Sequence, residues 1–179
     1  MDLRDSDIGK QSLALKRIAQ DLSTGLHRIA WEIRPSALDT LGLQDAIVQM
    51  IEDWKPHCSL EFDIHIGIGE HRLASEVESA LYRVIQEGIT NIVRHADAKR
   101  VGIVLDIRDD EIICIIEDDG SGLPSEEIAT ADRGPGRLGI VGARERLALV
   151  EGSLEVESVA NKGTTLFVKM PLRLDRVEN

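Results

Sequence analysis

Within QEGITNIVRHADA, residues 86–98, Glu87, Asn91 and His95 recur at four-residue steps. On a helix that spacing keeps side chains on nearly one face, so a carboxylate, an amide and an imidazole would form a row roughly 12 Å long. Such a row is either a solvated edge or a ligand site. Asp118 is unusual in a different way. In the run EIICIIEDD it shares strand parity with Ile112, Cys114 and Ile116, and a carboxylate pointing to the same side as buried apolar residues needs a task. Glycines follow at 120 and 122, and Gly136, Gly139 and Gly142 lead into the next apolar-periodic stretch. With Lys162-Gly163-Thr164-Thr165 these pieces look mutually dependent, although any one glycine pair alone is an ordinary turn.

The elements that must position them follow from periodicity. Ser75 to about His95 reads as one long helix, with Val77, Leu81, Val84, Ile85, Gly88 and Ile92 clustered in one arc. Glu87, Asn91 and His95 fall beside that arc, at the rim of the buried face. LEFDIHIGIG alternates strictly, Leu60 to Ile68 on one side and Glu61, Asp63 and His65 on the other, which predicts a one-sided strand. RVGIVLDI and EIICIIEDD predict two strands joined by a tight turn near Arg108-Asp109-Asp110, the second apolar on both faces like a central strand. Residues 120–139 read as a long glycine- and charge-rich loop, and a short helix is expected over Ile140–Val150. SLEVESV and TTLFVKMPL predict a terminal hairpin.

Upstream, Leu15, Ile18, Leu22, Leu26, Ile29 and Ile33 form a narrow seam on a helix ending at Arg34-Pro35. One seam on one helix needs a partner helix. A turn over PSALDTLG and a short helix, Leu43 to Trp54, connect it to the rest. This order of elements predicts a layered α/β sandwich, helices on one sheet face and most strand neighbours antiparallel.

The 179 residues suffice for one domain with a helical appendage, and 42% hydrophobic residues agree with a folded globule. A formal charge of −11 without a Lys/Arg run opposes general affinity for nucleic acid or anionic membrane. Cys58 and Cys114 lack metal spacing and read as reduced thiols; with no signal peptide and no membrane-length apolar run, a cytoplasmic location is expected. Glu117 and Asp119 read as solvated strand-end charges, Arg144-Glu145-Arg146 as a charged helix face, and His57, His65 and His71 as surface residues.

In order and separation the four motifs, over about residues 75–172, strongly resemble the ATP-binding domain of the GHKL superfamily, which joins gyrase-type ATPases, a heat-shock chaperone family and sensor histidine kinases. The resemblance implies a Bergerat-type two-layer sandwich with ATP and Mg²⁺ as cofactors. Asp118 would accept from the adenine amino group, with Gly120 and Gly122 letting the backbone pass close to the base and Thr164 adding a hydroxyl beside it. Asn91 would be the Mg²⁺ ligand, Arg94 and His95 would meet phosphate oxygens, and Gly136, Gly139 and Gly142 would free N–H groups at a helix start. Glu87 matches the family position that orients or activates a nucleophile, so it is the catalytic candidate. The loop around Gly134-Pro135-Gly136 would be a lid.

HRIAWEIRPSALDTLGLQDAI narrows the branch, since it resembles the second dimerisation helix and exit of two-component histidine kinases of the NarL-partner type. That implies residues 1–35 as part of a dimerisation region and 36–179 as the catalytic domain. It also implies a homodimer through the N-terminal helix, and a response-regulator receiver domain as partner of the intact protein. The family's phosphoacceptor histidine has no match here, because His27 sits inside the second-helix motif. The expectation is therefore a fragment that binds ATP without its own phosphorylation site. The alternatives are an ATP-hydrolysing conformational switch, and a dimerising helical module with a degenerate pocket.

Overall fold

The computed structural model describes residues 36–69, 72–123 and 138–175. Residues from Ser36 onward form one compact unit. The seam helix with His27, the expected lid around Gly134-Pro135-Gly136, and His71 lie outside the described residues.

Five strands make one sheet, in the order β1-β2-β3-β5-β4. The alternation of the first strand becomes β1, Glu61–Gly67, with Phe62, Ile64 and Ile66 half-buried and Glu61, Asp63 and His65 exposed. β2, Arg100–Arg108, pairs with it in parallel, Ile64 opposite Ile103. The remaining neighbours are antiparallel: β2 with β3 (Glu111–Asp118), β3 with β5 (Gly163–Pro171), and β5 with β4 (Ser153–Val159). Asp109 and Asp110, at φ 51° and 63°, form the two-residue turn between β2 and β3, the twist-matched geometry for a tight hairpin.

One face of this sheet is the core. Ile103, Leu105, Ile112, Cys114 and Ile116 are fully or almost fully buried there, under Ile47 and Ile51 of helix α1 (Ser36–Trp54), Leu81, Ile85 and Ile89 of helix α2 (Ser75–Asn91) and Leu147 of helix α3 (Leu138–Leu149). Gly88 brings α2 down onto β3, since a Cβ there would lie 3.0 Å from Ile116 Cδ1. Burial pushes the Cys114 thiol up to about 12, so it stays protonated, and Cys58 is also free and half-buried.

Two elements depart from the expected pattern. Helical residues begin at Ser36 rather than Leu43, because Leu38 buries its side chain completely and Thr40 Oγ1 bonds Ser36 O at 3.0 Å. The turn contracts to Gly42 alone, at φ 80° and ψ 172°, a conformation glycine adopts without strain. The long helix stops being α-helical at Asn91 and continues as a π-helical turn, Ile92–Ala96, closed by left-handed Asp97. The α-helical spacing that would set His95 in line with Glu87 and Asn91 therefore ends at Asn91.

Candidate functional site

The end of α2, the loop after β3 and the turn before β5 are tied into one structure by backbone hydrogen bonds. Ser121 N donates to Ala96 O at 2.7 Å, at the close of the π turn, and Asn161 N donates to Ser121 O at 2.7 Å. Close approach demands glycine at both joints. A Cβ on Gly120 would overlap the Ala96 carbonyl oxygen, one on Gly122 (φ 69°) the Val159 carbonyl, and one on Gly163 (φ 97°) the Asp118 carbonyl. Residues far apart in sequence therefore share a few ångströms of backbone.

Asp118 sits at the centre of this junction. Its strand parity buries it to 6% exposure among the core residues of β3. Gly120 N donates to its Oδ1 at 2.8 Å. Burial pushes the carboxyl above its usual range, the amides of Gly120 and Thr164 pull it partly back, and Asp119 and Glu117 push it up again. A carboxyl withheld from water but only partly satisfied by amides is built to accept from a further donor.

Thr164 is half-buried, and its Oγ1 lies 2.9 Å from Ser158 Oγ. Ser158 donates to Gly163 O at 3.1 Å and accepts from Leu123 N at 2.7 Å. Ser158 is a junction residue that the alternation of SLEVESV hid as one more polar strand position. Asp119 is another. Although exposed, its Oδ1 accepts from Lys99 N at 2.7 Å and Arg100 N at 2.9 Å, and those amides hold its carboxyl below the usual range. It is a staple between the exit of α2 and the end of β3 rather than a merely solvated charge.

On α2, Asn91 is half-buried and Arg94 and His95 are exposed. The Asn91 amide makes no side-chain hydrogen bond to any described residue. Glu87 turns toward α3: a Cβ on Gly139 would overlap its Oε1, so the carboxylate lies against the first turn of that helix. Gly139 belongs to the four N-terminal residues whose N–H groups lack an intrahelical acceptor, whereas Gly142 is past that turn and inside the hydrogen-bond ladder. Gly136 lies outside the described residues.

Arg146 was expected on a charged helix face and is instead half-buried, its Nε and one terminal nitrogen withdrawn from solvent. Burial lowers its pKa, and Glu87 opposes that shift across the α2–α3 contact. In RER both arginines are half-buried and only Glu145 is exposed, which no spacing rule gives without knowing which side of α3 meets α2.

Among the described residues no group of three or more His, Cys, Asp or Glu could hold a metal ion. A divalent cation here would bind through few protein atoms, in the manner of Mg²⁺ carried by phosphates. The half-buried Asn91 oxygen fits that role. No described helix is long and apolar enough to cross a membrane.

A family model described as histidine kinase-, DNA gyrase B-, and HSP90-like ATPase matches residues 76–174. The signal transduction histidine-protein kinase/phosphatase DegS of Brevibacillus brevis is 30% identical over 91% of this chain and 41% of its own length. The oxygen sensor histidine kinase NreB of Staphylococcus carnosus is 29% identical over 90% of this chain and 45% of its own. The chain thus spans less than half the length of these curated relatives. In fold it is similar to the histidine kinase domain of the Erythrobacter litoralis EL346 blue-light activated histidine kinase, at TM-score 0.62 and 17% identity over 73% of this chain and 61% of that one. It is also similar to the mycobacterial sensor histidine kinase MprB, at TM-score 0.55 and 22% identity over 72% of this chain and 93% of that one.

Proposed function

Because the chain belongs to the histidine kinase-, DNA gyrase B-, and HSP90-like ATPase family, we propose that residues 36–179 are the ATP-binding catalytic domain of a two-component sensor histidine kinase. Residues 1–35 would supply part of its dimerisation region. The relatives named as histidine kinases over nine-tenths of this chain support that branch. The observation that carries the reading is Asp118: a buried, partly satisfied carboxyl behind two glycines whose Cβ positions are filled by neighbouring backbone.

Asp118 accepts from the exocyclic amine of adenine, beside the close-packed Gly120–Gly122 backbone. Thr164, held by Ser158, presents its hydroxyl at the same edge. Asn91 offers Mg²⁺ a neutral oxygen, and Arg94 and His95 face outward to meet phosphate oxygens. Magnesium, when bound, neutralises charge on the triphosphate and so favours phosphoryl transfer. Gly139, with Gly136 and Gly142 near it in sequence, supplies the amino end of α3 as an anion seat. Glu87 reads as the residue that tunes this end of the site, since its carboxylate already rests on α3.

The intact protein would move the γ-phosphoryl group of ATP to a histidine not found at a matching position here, and onward to an aspartate of a response-regulator receiver domain. It would act as a homodimer in the cytoplasm. Catalysis would rest on positioning and charge neutralisation.

Calorimetric titration of ATP and ADP, with and without magnesium, tests the site. Asp118→Asn is expected to weaken both nucleotides at least about tenfold, the cost of mismatching one charged hydrogen bond. Asn91→Ala is expected to weaken mainly the magnesium-dependent part. Unchanged affinity in both variants overturns the assignment. Failure of the wild type to bind either nucleotide would favour a degenerate module, and sustained phosphate release would favour a hydrolytic switch.

A further inference from the structure

Arg72 joins the first helical turn of the compact unit to the segment Arg173–Asp175. Its backbone is fixed by the C-terminal segment: Asp175 N donates to Arg72 O at 2.9 Å, Ala74 N donates to Arg173 O at 2.8 Å, and Leu73 bridges Leu174. From that base the guanidinium reaches back to the start of α1. One terminal nitrogen donates to Leu38 O at 2.9 Å, and Nε lies 3.3 Å from Glu78 Oε1. Leu38 belongs to the last turn before the break at Gly42. Glu78 is buried to 1% exposure, in the first turn of α2, where the helix dipole favours a negative charge.

Gly42 completes the arrangement. A Cβ there would lie 2.9 Å from the other terminal nitrogen of Arg72, so the positive-φ glycine both breaks the helix and makes room for the guanidinium. Leu41, between Leu38 and Gly42, is 48% exposed, whereas Leu38 and the half-buried Ala37 pack against the core, so the arginine fork adds to a small apolar anchor. Gly42 allows a change of direction without strain if the fork lets go.

We propose that Arg72, Glu78 and Gly42 form a clasp that fixes the Ser36–Leu41 turn to the domain and can open without unfolding the sheet. It is a conformational device at the point where residues 1–35 join. The same helix, α2, carries Glu78 in its first turn and Asn91 in its last, about 20 Å apart by helical rise, so the clasp and the proposed magnesium ligand sit on one rigid element. The inference does not depend on the nucleotide reading, because the clasp is defined by contacts that involve no ligand.

Hydrogen exchange followed residue by residue on the full chain tests it. In Arg72→Ala, amide protection across residues 38–43 is expected to fall between about tenfold and a hundredfold, the size of one hydrogen bond to a charged group. In the wild type those amides should already exchange through an opening at least about tenfold more frequent than that of β2 and β3, with little denaturant dependence. Glu78→Gln keeps the shape of the partner and should give a smaller loss confined to the same turn, and Gly42→Ala should open it by displacing the guanidinium. Unchanged protection over 38–43 in Arg72→Ala overturns the clasp. Exchange of residues 38–43 in the wild type at the rate and denaturant dependence of β2 and β3 overturns it too, since the turn would then open only with the whole fold.

Discussion

Asp118 Oδ1 accepts the Gly120 amide hydrogen at 2.8 Å while the side chain is only 6% exposed, so a backbone amide orients a carboxyl that burial pushes toward its neutral form. Burial is the larger influence and pushes the carboxyl up. A carboxyl that binds its proton more tightly in the folded state contributes stability below its unfolded pKa, and that contribution is lost as pH rises through the folded value. Asp118→Asn is therefore expected to be more stable than wild type above the ordinary carboxylate range, by on the order of 1 kcal/mol or ~2–4 °C in Tm. The advantage should vanish in acid. Thermal melts from acid to neutral pH that show the opposite trend would refute this.

The close backbone contacts at the junction make its glycines unequal to others in the sheet. Gly122→Ala and Gly163→Ala must each adopt a left-handed backbone and displace a carbonyl oxygen, and each is expected to cost at least about 3 kcal/mol. Gly102→Ala meets nothing within 4 Å and should be neutral or stabilising by about 0.5 kcal/mol. Chemical denaturation curves for the three variants give the ranking.

Glu87 and Arg146 are expected to be energetically coupled across α2 and α3. Removing either partner leaves a half-buried charge, so Arg146→Met and Glu87→Gln should each destabilise by about 1–3 kcal/mol. A double-mutant cycle should return an interaction of at least about 1 kcal/mol, and a value near zero would remove the pair from the account.

The β2–β3 turn can be improved. Both central residues already hold positive φ, which Asn and Gly tolerate better than Asp, so Asp109→Asn with Asp110→Gly should add about 0.5–1 kcal/mol. A lower denaturation midpoint in the double variant would show that the aspartates have a stabilising contact there.

Much of this arrangement was legible in the chain because strand alternation reports burial directly. The parity of Asp118 with Ile112, Cys114 and Ile116 predicted its burial, and the sheet places it there. The helical turn before Gly42 was not legible: PSALDTLG has the residue types of a turn, and nothing in them reports that Leu38 buries its side chain. The π turn was hidden for a similar reason, since Ile92 is buried in either helix type. Ser158, Asp119 and Arg146 were underestimated because residue type and spacing describe one element at a time, and each of these acts across to a second element.

The parallel pairing of β1 with β2 also bears on the order of assembly. β2–β3 and β4–β5 are hairpins that close across short turns, whereas β1 reaches β2 only after the whole of α2 has crossed the sheet. Non-local pairing of that kind forms late. Pulse-labelled exchange during refolding should protect β2 and β3 amides before those of β1, and simultaneous protection would contradict the sequence of events. Meanwhile β1 waits as an unpaired edge, and the charges of Glu61 and Asp63 make it a poor template for another chain.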